Sequence, residues 1–424
     1  LGSPGISYIY LWDFNQKFLW RKLQMKKTLL ASAAIAGLVL ASAPAQAQME
    51  LTIGGHSKNY IGFSDQDDNA TSETRDFDMQ RETELHFNGE STLDNGLTFG
   101  FQVEVEADAE DDSNTIEESY IYMSGTWGRV NLGSEDGAAY LLQVAAPSAD
   151  SNIDGIRQFV NPVNYTNALG AAGTNAALAA PGSLVGAFGT PFGATNQDGF
   201  DYDQDVTGLS EKITYLSPNF NGFQLGASYT PDVGANNSST NIASGFTSDD
   251  AADTLGEAYE IGARYEGVMS NFGYALGAGY THIELESEGT AAAAAGGALD
   301  RNDDFTEWNV GLDIDVGAFG IGAIYKESDT GHDPIESGSD IETFVVGVDY
   351  TTGPFKFGAS YLNEDNDTIG VGDTLETDRY TGGVVYTAGP GLSFRGSISH
   401  IEHEATVIND IEATSVMGGV QINF

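Results

Sequence analysis

Six histidines and a run of acidic clusters are the residues of this sequence that could do chemistry. The histidines are His56, His86, His282, His332, His400 and His403. An imidazole becomes a general base or a metal ligand only beside a nucleophile, an acid or a second ligand on the same face. No histidine shows a clear serine or acid partner on one strand face. His400 and His403 fall on opposite faces of an extended segment and would not converge on a metal. No catalytic residue and no metal ligand set is therefore assigned. The acidic stretches "SDQDDN" (64–69) and "NEDNDTIGVGD" (363–373) carry oxygen ligands of the kind Ca²⁺ takes, without the twelve-residue helix-loop-helix spacing. Ca²⁺ in these loops is the one cofactor the sequence leaves open. With no cysteine, thiolate chemistry and disulfides are excluded.

The acids dominate everything else. The chain has 424 residues, with 17 Lys+Arg against 62 Asp+Glu, a formal net charge of −45. No basic patch is available for phosphates, so nucleic acid is excluded as a partner. Hydrophobic residues at 41% and aromatics at 11% argue against disorder. Abundant glycine (53), scarce proline (11) and 41 Tyr and Phe (19 and 22) suit a large β-protein.

"MKKTLLASAAIAGLVLASAPAQAQ" begins at Met25 with two lysines, continues through a short apolar run and closes on "AQA". This reads as a secretory signal peptide, 25–47, cleaved after Ala47. Its apolar run, about 15 residues, is short for a spanning helix. Residues 1–24 read as a segment upstream of the natural start, and 48–424 as the folded chain. The leader holds Lys17, Arg21, Lys22, Lys26, Lys27 and Asp13. The remaining chain then has 12 basic and 61 acidic residues (17 − 5 and 62 − 1), net −49.

What must position the charges is a set of strands. No later stretch is apolar enough for a membrane helix, and a chain without such helices can span a membrane only as a closed barrel. From Gln48 onward, segments of about ten residues alternate apolar with polar or glycine. The alternation predicts sixteen strands, near 49–63, 78–90, 97–107, 116–124, 127–134, 206–217, 222–231, 256–267, 270–285, 305–316, 318–327, 340–351, 354–364, 376–388, 391–404 and 411–424. Tight turns such as "LDNG", "GTWG" and "SPNFNG" alternate with long acidic loops. In "LTFGFQVEVE", Leu97, Phe99, Phe101, Val103 and Val105 share one face, and Thr98, Gly100, Gln102, Glu104 and Glu106 the other. The second face is too charged for a core, and sixteen strands enclose a lumen too wide to fill. The apolar face therefore meets lipid. A soluble β-sandwich, which would show similar alternation, is the alternative. Tyr229, Tyr265, Tyr350, Tyr361 and Tyr386 lie on the apolar parity near strand ends, where interfacial girdles belong. The expected fold is all-β, a sixteen-stranded antiparallel transmembrane barrel.

Four motifs resemble those of the Gram-negative general diffusion porins: "ITYLSPNFNGFQLGASYTP" (213–231), "LHFNGESTLDNGLTFGFQVE" (85–104), "SYIYMSGTWGRVNLGSED" (119–136) and the terminal "GVQINF". The resemblance spans Gln48 to Phe424. It implies a homotrimer in the outer membrane, amid lipid and lipopolysaccharide, passing ions and small hydrophilic solutes. It also implies a third loop folded inward to narrow the pore, and a terminal Phe424 read by the barrel-assembly machinery. That loop would be 134–205, about 70 residues with an Ala/Gly-rich middle, and Glu135, Asp136, Asp150 and Asp154 as its acids. A mobile external loop is the alternative. Where the family often carries arginine on the early strands, this sequence has Glu84 and Glu117. Other lumen-parity acids are Glu82, Glu104, Glu106 and Glu260. Lumen-parity bases are Lys58, Arg129, Lys212, Arg264, Lys326, Lys356, Arg379 and Arg395. The acids predict a cation-preferring pore. The rival readings are a substrate-selective channel, or a barrel enzyme or adhesin acting through its external loops.

Overall fold

The computed structural model describes residues 49–67, 75–107, 116–144, 146, 202–208, 210–233, 255–270, 272–287, 303–331, 340–367, 374–405 and 410–424. Asp150, Asp154, residues 68–69 and 368–373 of the two acidic stretches, His332 and the region 1–48 lie outside them.

Met49–Thr92 and Gly96–Phe424 form one compact unit. It is a closed antiparallel barrel of sixteen strands, each paired with its neighbours in sequence and the last with the first. In chain order they are β1 (Glu50–Gln66), β2 (Phe77–Thr92), β3 (Thr98–Glu106), β4 (Ile116–Gly125), β5 (Gly128–Ser134), β6 (Glu211–Leu216), β7 (Phe223–Thr230) and β8 (Leu255–Met269). There follow β9 (Phe272–Leu285), β10 (Phe305–Val316), β11 (Phe319–Asp329), β12 (Asp340–Thr352), β13 (Phe355–Asn366), β14 (Leu375–Gly389), β15 (Leu392–Ala405) and β16 (Ile411–Asn423). One helical turn, α1 (Ala138–Leu141), follows β5.

The sixteen predicted strands are present, with ends shifted by a few residues. The largest shift is at β6, which starts at Glu211 rather than near 206. Val206–Gly208 form a turn instead, and the Lys212 ammonium holds its carbonyls. "NEDNDTIGVGD" is also corrected in part: its first four residues belong to β13, and Glu364 is buried inside the barrel, accepting from Thr343 Oγ1 at 3.2 Å.

The alternation sets the wall. Ile213, Leu225, Ile261, Val310, Ile321, Phe357 and Val416 are exposed on the outer surface. On β7, β8, β9, β11, β12, β13 and β14 two outward aromatics stand six positions apart, as in Phe223 and Tyr229 or Phe319 and Tyr325. That is roughly 20 Å of strand. Near the short turns the rings meet across strands, Phe319 on Tyr350 at 4.6 Å and Phe355 on Tyr386 at 4.9 Å. At the other end Tyr229 meets Tyr259 at 5.4 Å and Tyr361 meets Tyr380 at 5.0 Å. Two aromatic girdles thus bound an apolar band, the arrangement a bilayer with two interfaces requires.

Phe424 closes the cylinder. Its amide and carbonyl exchange hydrogen bonds with Gly55, and β16 pairs β1 from His56↔Asn423 to Gln66↔Ala413. Neither strand is left with an open edge.

Candidate functional site: a lumen with an infolded third loop

After Ser134 the chain turns inward. Residues 135–144 and 146, with the returning 202–208, pack on the lumen face of β6 to β13. Glycine makes room for them. Gly226, Gly262 and Gly279 form one cross-strand row, and Gly277 and Gly311 the next. A Cβ on Gly262 would lie 2.2 Å from the Ala138 carbonyl oxygen, and one on Gly311 would lie 2.4 Å from that of Val144. These residues leave the wall bare where the loop backbone seats.

Polar side chains then fasten the loop. The Ala138 amide donates to Ser228 Oγ at 2.8 Å, and Thr207 Oγ1 donates to Glu260 Oε2 at 3.1 Å. Gln204 Nε2 donates to Thr281 Oγ1 at 2.9 Å and to the Glu307 carbonyl at 3.0 Å. Tyr202 is fully buried with Ala146, Ile324, Val345 and Leu362. Three of the predicted lumen bases belong to this fastening. Lys212, 4% exposed, donates to the carbonyls of Glu135, Thr207 and Gly208. Arg264 Nη1 reaches the Gln143 carbonyl at 3.2 Å, and Lys326 Nζ the Asp203 carbonyl at 2.9 Å. The sequence showed their parity but not that loop carbonyls would take their protons, because that depends on where the loop lies.

The wall of β1 to β5 carries the acids. Glu82 binds Lys58 Nζ at 2.5 Å and His56 Nε2 at 2.8 Å. Lys58 is wholly buried, so its charge is spent on that pair. Glu84 contacts His86 Nε2, and Glu104 Oε1 lies 3.5 Å from His86 Nδ1. Glu84, Glu106 and Glu117 bring a carboxylate oxygen each within 4.8 Å of one another. A register slip sets Val103 opposite Ser119 but Val105 opposite Ile116, so Glu104 faces both Glu117 and Glu118. Glu118, missed in the sequence although the parity of Tyr120 and Tyr122 puts it on the lumen face, has Asp136, Glu104, Glu135 and Glu84 as electrostatic neighbours, and the slip brings Glu117 in beside it.

Arg129 bridges this wall to the loop. Its guanidinium lies over the Tyr122 ring at 4.0 Å and donates from Nε to Asn131 Oδ1 at 2.6 Å. Asn131 Nδ2 donates to Glu135. Burial pushes the Glu135 carboxyl above its usual range, against the pull of Arg129 and the Asn131 hydrogen bond. Elsewhere Lys356 pairs with Asp349 at 3.4 Å, and Arg379 and Arg395 are half-buried on lumen parity.

The histidine reading is corrected here. His86 and Glu84 lie on one face of β2 and His400 and Glu402 on one face of β15, the latter 2.9 Å apart. Spacing of two on a strand gives a shared face, a signal present in the sequence. His56, Glu84 and His86 also bring ligand atoms within 4.8 Å of one another, which the assignment of no metal ligands did not foresee.

The sequence matches the family model for Gram-negative porins over residues 31–406. The chain belongs to the Gram-negative porin family. It is an outer-membrane channel protein, and its fold is that of a channel rather than an enzyme. The structure is similar to an anion-selective porin from Comamonas acidovorans, TM-score 0.58 at 17% identity, covering 89% of this chain and all of that one. It is similar also to OmpT of Vibrio cholerae in its trimer form, TM-score 0.55 at 12% identity, covering 89% and 99%. A porin refined at 1.8 Å gives TM-score 0.52 at 18% identity, covering 88% and 100%. No curated protein matches the sequence.

Proposed function

We propose that this porin passes small hydrophilic solutes and ions with a preference for cations. The observation that carries the reading is the acid-on-acid arrangement of the lumen: Glu84, Glu104, Glu106, Glu117 and Glu118 on the wall, with Glu135 and Asp136 on the loop near them. Among the bases, Lys58, Lys212, Arg264 and Lys326 are engaged by Glu82 or by loop carbonyls, which reduces what they offer a passing anion. Charges that line a narrow path act on every ion that passes. The porin of similar fold from Comamonas acidovorans is named as anion-selective, so the fold does not by itself favour cations and the reading stands on the residues of this lumen. The reversal potential of single channels under a tenfold KCl gradient tests the reading, and an anion-selective potential overturns it. A measurable conductance also separates this reading from an adhesin without an open lumen.

The assembly proposed is a homotrimer, in line with the trimer form of the Vibrio cholerae relative. The outer face of β1 and β2 supports it. Asn59 and Arg81 are register partners exposed on lipid parity, and an arginine facing lipid near mid-membrane costs about 2–4 kcal/mol. A neighbouring subunit would cover them. Lipopolysaccharide around the trimer and the assembly machinery that reads Phe424 complete the proposed partners. Size-exclusion chromatography with light scattering checks the trimer, and a monomer overturns it.

A further inference from the structure

We propose that the lumen face of β1 and β2 binds a divalent transition-metal ion through His56, His86 and Glu84. The proposal rests on the reading of this lumen as water-filled, since the ion must reach the wall.

The strand geometry builds the set. Glu84 and His86 are two apart on β2 and share its inner face, while His56 on β1 is the direct cross-strand partner of Glu84. Three side chains then project from one facet of sheet, with ligand atoms within 4.8 Å of one another. The residue opposite His86 on β1 is Gly54, so no side chain from that register position crowds the imidazole. The rings of His56 and His86 stand 6.4 Å apart between centroids and 75° apart in plane. An ion with metal–nitrogen distances of about 2.0–2.1 Å fits between two such rings after small side-chain rotations.

A second feature singles this group out from an ordinary acidic patch. Each imidazole has a carboxylate outside the ligand set. His56 Nε2 lies 2.8 Å from Glu82 Oε1, which leaves Nδ1 to face the metal. His86 Nδ1 lies 3.5 Å from Glu104 Oε1, which leaves Nε2, the nitrogen already beside Glu84. Glu82 is itself held by Lys58 at 2.5 Å. The hydrogen-bonded Glu82 fixes the tautomer of His56, and each carboxylate raises the basicity of the imidazole beside it, as outer partners of histidine ligands commonly do. Two imidazoles and one carboxylate suit zinc, nickel or copper rather than calcium or magnesium, which take oxygen. All three ligands are half-buried and so reachable from lumen water.

An ion here would place positive charge on the acid wall. It would therefore oppose the cation preference of the empty pore.

Zinc chloride is titrated into the purified, detergent-solubilised porin by calorimetry. We expect saturable binding of one Zn²⁺ per chain. His56→Gln and His86→Gln should each weaken it at least tenfold, and Glu104→Gln about tenfold through the outer partner. Glu376→Gln, outside the set, should bind as the parent does. Variants are compared only where heat-modifiable migration shows a folded barrel, and the two histidine variants guard against failure of either. In parallel, Zn²⁺ should move the KCl reversal potential toward zero in the parent and not in His86→Gln. No saturable binding to the parent, or equal binding by the parent and both histidine variants, overturns the proposal. Calorimetry does not depend on ion preference, so a failure of the cation reading shows up in the metal-free potential alone.

Discussion

Gly55 and Phe424 hold each other by two backbone hydrogen bonds, each amide donating to the other's carbonyl at 3.1 Å. These are the last bonds of the seam between β1 and β16. Deleting Phe424 removes both, while Phe424→Ala keeps them and removes only the ring. We expect the deletion to cut the yield of folded barrel severely and the alanine variant to cut it less. Heat-modifiable migration on gels, with outer-membrane fractionation, measures this. Normal assembly of the deletion variant would refute the closing role.

The loop seat makes a second prediction. At Gly262 a side chain would enter the space of the Ala138 backbone. Gly262→Val should displace α1 without opening the barrel, because strands accept valine well. Single-channel conductance should then change, and its open-state noise rise, while thermal stability of the barrel stays near that of the parent. An unchanged trace would show that the segment does not narrow the path.

Lys326 tests the fastening from the other side. It lies 3.7 Å from the buried Glu307 carboxylate and donates to the Asp203 carbonyl. Lys326→Met leaves that carboxylate without its nearest cation, a change that typically costs about 3–5 kcal/mol. We expect faster protease cleavage between 146 and 202 in the variant, with strand content by circular dichroism unchanged.

For selectivity, Glu84→Gln with Glu117→Gln and Glu118→Gln should move the reversal potential toward zero. Neutralising the exposed loop acids Asp67 and Asp76 should do so far less, since salt screens exposed charges within about 10 Å at 0.1 M. Equal effects would place the selectivity outside the lumen.

The last prediction concerns pH. Glu135 is held above the usual carboxylate range by burial, so the folded chain retains its proton to higher pH than a free glutamate does. Over the window between the two values the native state binds more protons, so stability contributed at low pH is lost as pH rises through the folded value. The carboxylate charge appears only as pH rises through that folded value. Cation preference should therefore grow as pH rises, including a part above the ordinary carboxylate titration, and Glu135→Gln should remove that part. Reversal potentials between about pH 4 and pH 8 measure it.

Much of this was legible before the structure. Period-two alternation in segments such as "LTFGFQVEVE" specifies face as well as strand, which is why Lys58, Glu82 and Glu84 could be placed on the inner wall by counting. Counting fails where the period breaks. The slip opposite Glu104 turns both Glu117 and Glu118 to one neighbourhood, and nothing local in "IEESY" announces it. Long-range contacts were equally hidden. Gly226, Gly262, Gly279 and Gly311 read as ordinary strand glycines until α1 and Val144 are seen lying on them. Lys212, Arg264 and Lys326 read as pore charges until the carbonyls they grip are placed. Tyr202 carries no signal at all in isolation, since its burial comes from Ile324, Val345 and Leu362 on three different strands.

The bare glycine rows divide the described wall into two parts that tolerate substitution differently. On β7 to β10 the loop backbone lies against the wall, so almost any added side chain is a steric error. On β1 to β4 no described loop backbone seats on a glycine row, and half-buried lumen side chains such as Glu84 and His86 stand beside other side chains instead. Such a barrel can have its lumen charge altered by point mutation on one side while the other keeps the described loop residues seated.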